Sequence, residues 1–270
     1  MAGTLDCGRG GRDPRPAGVT RSRRLFKRAA ETGGRKSSGG SEAMKRRAGE
    51  SAAEAVTDGD VVGLGTGSTA AHAIRALGER VTDGLSITGV ATSFASRELA
   101  LDAGIPLVDL AAVTGPGAGG IDVAVDGADC VAGGDLIKGG GAAHAREKLV
   151  DAAADRFLVV ADATKCTDVL THPVPIEVLA SGRGVVAEAV AAAGGDATLR
   201  RAERKDGPVV TDNGHLVLDC DFGPIAEPAA LARTLAETPG VVEHGLFVGL
   251  ADELHVGTET GVDVTNPGRG

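Results

Sequence analysis

IDVAVDGADCVAGGDLIKGGGAAHAREK, residues 121–148, decides how the rest of the chain is read. It opens as an apolar run, Ile121–Val125, with the length and β-branched content of a buried strand. Two carboxylates, Asp126 and Asp129, stand where that run ends. A glycine-rich turn leads to Lys138, then Gly139-Gly140-Gly141, then a helical pattern over Ala142–Ala154 that carries Glu147. Three acids, one lysine and a run of bare backbone amides thus gather at one strand end and one helix start. In an open α/β sheet, that edge is where ligands bind.

Working outward, the same alternation extends in both directions. A helix over Lys45–Val56 leads into the strand Val61–Gly65, the turn Thr66-Gly67-Ser68-Thr69 and the helix Ala70–Val81. Strand Ser86–Ala91, helix Phe94–Ala103 and strand Ile105–Asp109 precede the central stretch, and strand Arg156–Ala161 follows it. Alternating strands and helices with short connections predict right-handed βαβ units, hence a Rossmann-like doubly wound, mostly parallel sheet. The rhythm breaks at His172-Pro173-Val174-Pro175. Beyond it come strand Ile176–Leu179, helix Val185–Ala193, a strand near Thr198–Arg204, a hairpin about Asn213-Gly214, helix Pro228–Glu237 and strand Val241–Phe247. That β-α-β-β-α-β order predicts an inserted ferredoxin-like α+β domain. The expected division is a Rossmann-like catalytic domain over 44–171 plus 248–270 and an α+β domain over 172–247, with short strands in Val248–Thr265 returning to the first sheet.

Composition narrows the class. The chain has 270 residues, 42% of them hydrophobic, with 2% aromatic and neither Trp nor Tyr, so the core must be built from Val, Leu, Ile and Ala. Residues 1–43 hold ten Lys and Arg against four Asp and Glu, a net of +6, which leaves −15 on the remainder. A body that acidic repels nucleic-acid phosphates, so no nucleic-acid partner is expected. Acid excess with few lysines also resembles proteins adapted to high salt. The basic leader, rich in Gly, Arg, Ser and Pro, reads as disordered, and Met44 just before the first helical pattern reads as a possible true start. No apolar run approaches the length of a membrane span, so no membrane partner is expected. Four widely spaced cysteines (Cys7, Cys130, Cys166 and Cys220) argue against a disulfide framework and suit the cytoplasm.

The candidate sites each admit a plain structural reading beside the chemical one. Gly65-Thr66-Gly67-Ser68-Thr69 joins a strand to a helix, where amides and the helix dipole favour an anion such as a phosphate. It lacks the Gly-Lys-Ser/Thr ending of a P-loop. It fits the loose dinucleotide fingerprint through Gly65, Gly67 and Ala70, but Thr92-Ser93 stand where that motif needs an acid. Asp126 and Asp129 fit a turn cap as well as a catalytic pair, Lys138 a solvated loop, and Glu147 a salt-bridged helix face beside Arg146 and Lys148. Their convergence on one strand end favours chemistry. Six scattered histidines show no metal-ligand spacing, so proton transfer rather than metal coordination is expected. Lys165, in Asp162-Ala163-Thr164-Lys165 after the next strand, is a second candidate cation. Cys130 and Cys166 flank these positions as inert small side chains or as reactive thiols.

Taken together, Gly63–Ala70 (GLGTGSTA), Val125–Asp129 (VDGAD), Ile137–Ala143 (IKGGGAA), Arg146–Lys148 (REK) and Val160–Lys165 (VADATK) resemble ribose-5-phosphate isomerase of the A type, in order and with compatible spacing from Met44 onward. The resemblance implies an aldose-ketose isomerase that interconverts D-ribose 5-phosphate and D-ribulose 5-phosphate through an enediolate, in the non-oxidative pentose phosphate pathway, and it implies that no cofactor takes part. It implies Glu147 as the base and Lys138 with the amides of Gly139, Gly140 and Gly141 at the developing oxyanion. It implies Asp126, Gly127, Ala128 and Asp129 on sugar hydroxyls, Thr66, Gly67, Ser68 and Thr69 as substrate contacts, and Lys165 as a further one. A homodimer or homotetramer is implied as well. Two departures stand out: Cys130 replaces a Glu common in the family, and the loop between Asp129 and Lys138 is slightly short. The rival expectations are a non-enzymatic sugar-phosphate-sensing domain and a nicotinamide-dependent oxidoreductase.

Overall fold

The computed structural model describes residues 40–268, so the basic leader expected over 1–43 lies outside them except for residues 40–43. The first helix begins earlier than its apolar pattern predicted. α1 spans Glu42–Glu54, and Ser41, placed in the leader by sequence, accepts a hydrogen bond from the Met44 amide at 3.3 Å. Ser is a preferred residue for that cap, because its hydroxyl satisfies an amide that has no partner within the helix.

The parallel part follows the predicted alternation. β1 (Val61–Leu64), α2 (Ser68–Thr82), β2 (Thr88–Ala91), α3 (Phe94–Asp102) and the short α4 (Leu110–Val113) lead to β3 (Ile121–Gly127). The expected strand over Ile105–Asp109 does not form. Leu107 makes an isolated bridge to Gly89, and Pro106 has no amide to donate to a ladder. The glycine-rich turn after β3 holds a small hairpin that periodicity missed, β4 (Cys130–Ala132) and β5 (Asp135–Ile137). α5 (His144–Ala153) starts later than expected because Ala142 takes a left-handed φ of 61°. β6 (Ala154–Asp162) then ends the first run.

The second part contains β7 (Val174–Val178), α6 (Arg183–Ala192), β8 (Asp196–Leu199), β9 (Leu216–Asp221), α7 (Pro228–Ala236) and β10 (Val241–His244), the predicted β-α-β-β-α-β order. These strands form an antiparallel sheet ordered β10-β7-β9-β8. The last predicted strand is broken in two: β11 (Leu246–Phe247) leaves that sheet and pairs with β5. The tail returns as β12 (Glu253–Gly257), parallel to β6, and β13 (Val262–Thr265), antiparallel to β12. The main sheet therefore runs β13-β12-β6-β3-β1-β2, parallel except at its β13 edge.

Alternation along the central strands buries both faces of that sheet. Val123 and Val125 of β3 and Leu158 and Val160 of β6 pack with α1, α2 and α3. Ala124, Phe157 and Val159 pack on the other face with Val150 of α5 and Phe247. A third core joins the antiparallel sheet, α6 and α7 to the β4–β5 hairpin through Cys130, Ile137 and Leu246. No helix among the described residues is long and apolar enough to cross a membrane.

Candidate active site

β1 pairs with β2 on one side and β3 on the other, so the chain reverses its direction of travel across the sheet between β1 and β3. At such a switch point the loops leaving the strand ends diverge and open a crevice. The Gly65–Thr69 loop leaves β1 there, and Asp126 stands at the end of β3. The two are tied directly: Asp126 Oδ1 accepts the Thr66 amide at 2.9 Å and the Gly127 amide at 2.6 Å. Gly65 is required by this approach, since any Cβ would overlap the Asp126 carboxylate.

Lys138 follows β5 and is held by a backbone bond from its amide to the Gly245 carbonyl at 2.9 Å. Its side chain turns inward and is 2% exposed. Nζ donates to the Gly127 carbonyl at 2.5 Å and lies 2.9 Å from Asp126 Oδ2 and 3.2 Å from Glu147 Oε2. The Phe247 ring lies 5.2 Å from the ammonium, a cation–π placement on its apolar side. Burial alone would pull this lysine down, but Asp126, Glu147 and Asp151 together hold its pKa above the usual range, so it stays charged.

Glu147 sits in the first turn of α5 and is 3% exposed. Burial, then the charge of Asp126, push its carboxyl up to about 8 against the pull of Lys138. A carboxyl poised near neutrality, in contact with a permanent cation, has the properties of a general base. Asp126 is likewise raised by burial, opposed by Lys138 and by its amide donors.

The remaining predicted residues take more varied positions. Asp129 is half-buried, and its Oδ2 accepts the Gly140 amide at 2.7 Å, so that amide is occupied rather than open toward a ligand. Gly139 is buried, while Gly140 and Gly141 are exposed. Ala128 packs at the edge of the core beneath the site. Gly67 precedes α2 without a side chain to cap it, so no side chain competes for the first-turn amides of Ser68 and Thr69. Lys165 closes a 3-10 turn, Ala163–Lys165, directly after β6 and on the same sheet edge. Cys130 packs into the core and its Sγ lies 3.4 Å from Thr167 Oγ1. Partial burial, then the Asp162 charge, raise the Cys166 thiol, the wrong direction for a nucleophile. Among the described residues, no cluster of three or more His, Cys, Asp or Glu is arranged to hold a metal ion.

Four contributors escaped the sequence reading. Thr92 and Ser93, noted only as the wrong residues for a ribose acid, meet Thr66 Oγ1 at 2.9 and 2.7 Å and orient its hydroxyl. Arg200, held by Asp219, donates to the carbonyls of Gly139 at 2.8 Å and Gly140 at 3.2 Å, gripping the glycine loop from the antiparallel sheet. Asp151 lies on α5 one turn beyond Glu147 and 3.9 Å from Lys138 Nζ. Its signal was present: two acids at i and i+4 repel on a solvated helix face, and that spacing calls for a reason.

Known proteins share this arrangement of strands and motifs. The family model for ribose 5-phosphate isomerase A (phosphoriboisomerase A) matches residues 88–261. The ribose-5-phosphate isomerase A of Halorubrum lacusprofundi is 74% identical over 236 residues, covering 85% of this chain and 98% of its own. Among solved structures, ribose 5-phosphate isomerase A from Methanocaldococcus jannaschii is 41% identical with a TM-score of 0.78, covering 83% of this chain and 98% of its own. A D-ribose-5-phosphate isomerase in complex with phospho-erythronic acid is 40% identical with a TM-score of 0.80, covering 84% of this chain and 99% of its own. With its buried carboxylates and lysine at the switch point of a doubly wound sheet, the chain belongs to the ribose 5-phosphate isomerase A family.

Proposed function

We propose that Glu147 is the base that carries a proton between C1 and C2 of the substrate, and that Lys138 stabilises the oxygen on which charge develops. The protein is an aldose-ketose isomerase that interconverts D-ribose 5-phosphate and D-ribulose 5-phosphate through an enediolate. A proton α to a carbonyl is weakly acidic, so its removal needs a base at the carbon and positive charge at the oxygen. The observation that carries the assignment is the buried pair itself, Glu147 Oε2 at 3.2 Å from Lys138 Nζ. Asp126 and Asp129 bind sugar hydroxyls and assist ring opening. The loop Thr66-Gly67-Ser68-Thr69 receives substrate at the head of α2, with Lys165 as a further contact and Gly127, Ala128 and Gly139–Gly141 as backbone walls.

Incubating purified protein with ribose 5-phosphate alone is expected to yield ketose. Glu147→Gln is expected to abolish turnover, about 10²- to 10⁴-fold down, while ribose 5-phosphate still binds by calorimetry. Most of the turnover surviving in that variant would sink the base assignment.

We also propose the division into a catalytic part (44–171 plus 248–270) and an α+β part (172–247), residence in the cytoplasm, and a homodimer or homotetramer. Free thiols at Cys130, Cys166 and Cys220 support a reducing compartment. Sedimentation equilibrium measures the oligomeric state.

A further inference from the structure

The buried charge cluster holds one more carboxyl than the reaction assignment uses. Asp151 is 1% exposed, and neither of its oxygens has a hydrogen-bond donor. The ammonium that faces it, Lys138 Nζ, is 3.9 Å away, donates to the Gly127 carbonyl and lies nearer to Asp126 and Glu147, at 2.9 and 3.2 Å. An ammonium has three N–H donors, and three oxygens lie closer to this one than Asp151 does. The groups facing Asp151 are Asp126 at the end of β3, Lys138 after β5 and Glu147 on its own helix. On β10, also packed against α5, Glu243 and His244 are engaged by Lys148 instead. Ionising all three acids would set three buried negative charges against one positive one. An ionised carboxylate cut off from both water and donors is among the costliest groups a core can contain.

We propose that Asp151 is a positioning residue for the isomerisation: a carboxylic acid kept protonated beneath the site, whose O–H donates to Asp126 and leaves the Lys138 ammonium balanced by Asp126 and Glu147 alone. Its proton stays in place through turnover, while Glu147 carries the mobile one. Burial, then the charge of Asp126, raise the Asp151 carboxyl well above the usual range, the direction this requires. The neutral acid also gives Asp126 a donor in addition to its Thr66 and Gly127 amides.

The proposal rests on the Glu147 and Lys138 assignment, but its decisive measurement reads the proton itself, so the two can fail separately. Infrared difference spectra of the full chain against Asp151→Asn are taken at about pH 9, above the Glu147 titration. They are expected to show the carbonyl stretch of a protonated carboxylic acid lost in the variant; loss of a carboxylate band instead overturns the proposal. In assays with ribose 5-phosphate, Asp151→Asn, neutral and still a donor, is expected to keep the pH at which kcat/KM rises. Asp151→Leu, of similar shape but without a donor, is expected to lower kcat on the order of tenfold with KM little changed. A rise moved to lower pH in Asp151→Asn, or full kcat in Asp151→Leu, overturns it. If neither variant folds, carbon NMR of wild type labelled at aspartate carboxyls decides, an aspartate still protonated at about pH 9 being expected and its absence overturning the proposal.

Discussion

Glu147 and Glu177 are both buried glutamates, 3% and 0% exposed, and they are supported in opposite ways. Glu177, on β7 of the antiparallel sheet, receives hydrogen bonds at Oε1 from Thr211 Oγ1 at 2.8 Å and Asn213 Nδ2 at 3.0 Å. Its donors come from the turn that also reaches the catalytic half, where Asp212 accepts the Phe94 amide and Asn213 accepts from Arg146. Glu147 faces a cation shared with two further acids. A buried carboxylate given neutral donors is a structural tie; one left to compete with like charges for a single ammonium is raised toward neutrality and can exchange a proton. The same contrast separates Lys138 from Lys148. Both lie over the Phe247 ring, at 5.2 and 4.9 Å, yet burial lowers Lys148 while its carboxylates raise Lys138.

The contrast breaks most severely if the shared cation is removed. Lys138→Met is expected to cost about 3–5 kcal/mol in urea unfolding and to abolish turnover, because it strands the Asp126 carboxylate away from water. Stability near wild type at neutral pH would mean that Asp126, like Asp151 and Glu147, is already protonated there. Next, kcat/KM should fall about tenfold per pH unit below the Glu147 value, since only its ionised form is a base. That value is about 8, so activity is expected to rise with pH up to there and level off. Stability runs the other way. Glu147 binds its proton more tightly folded than unfolded, so its contribution declines as pH climbs from the ordinary glutamate range through about 8, as thermal unfolding across pH would register.

Smaller effects are expected on the structural side. Glu177→Ala leaves Thr211 and Asn213 without their acceptor and should cost about 1–3 kcal/mol of stability. Its kcat should stay within about twofold of wild type, because no reacting atom depends on it. Thr211→Val removes one of the two donors and should cost about 1 kcal/mol, again read by urea unfolding. A large loss of kcat in either variant at preserved stability would erase the distinction between the two glutamates.

Much of this was legible in the chain itself. The runs Val61–Gly65, Ile121–Val125 and Arg156–Ala161 are apolar enough to be read as buried parallel strands, and glycines and acids stand at their ends. Local signals failed where pairing partners lie far apart in sequence. Ile105–Asp109 looks like a strand but contains a proline, and Val241–Phe247 looks continuous but divides between two sheets. The β4–β5 hairpin is too short to show a period.

The sequence by itself determined the βαβ order, the loop chemistry and which residue types meet at the strand ends, because alternation, glycine and charge act over a few residues. The tertiary structure alone decided which of those charges would share one ammonium. Lys138 is brought to Asp126 by the β4–β5 hairpin, and Asp151 is brought beneath both by the packing of α5 on β3. Arg200 reaches the glycine loop from a different sheet. Burial and the count of donors around each carboxyl are properties of contacts between distant segments, and they are what separate acids that fit a turn or a helix face equally well by raising some of them toward neutrality.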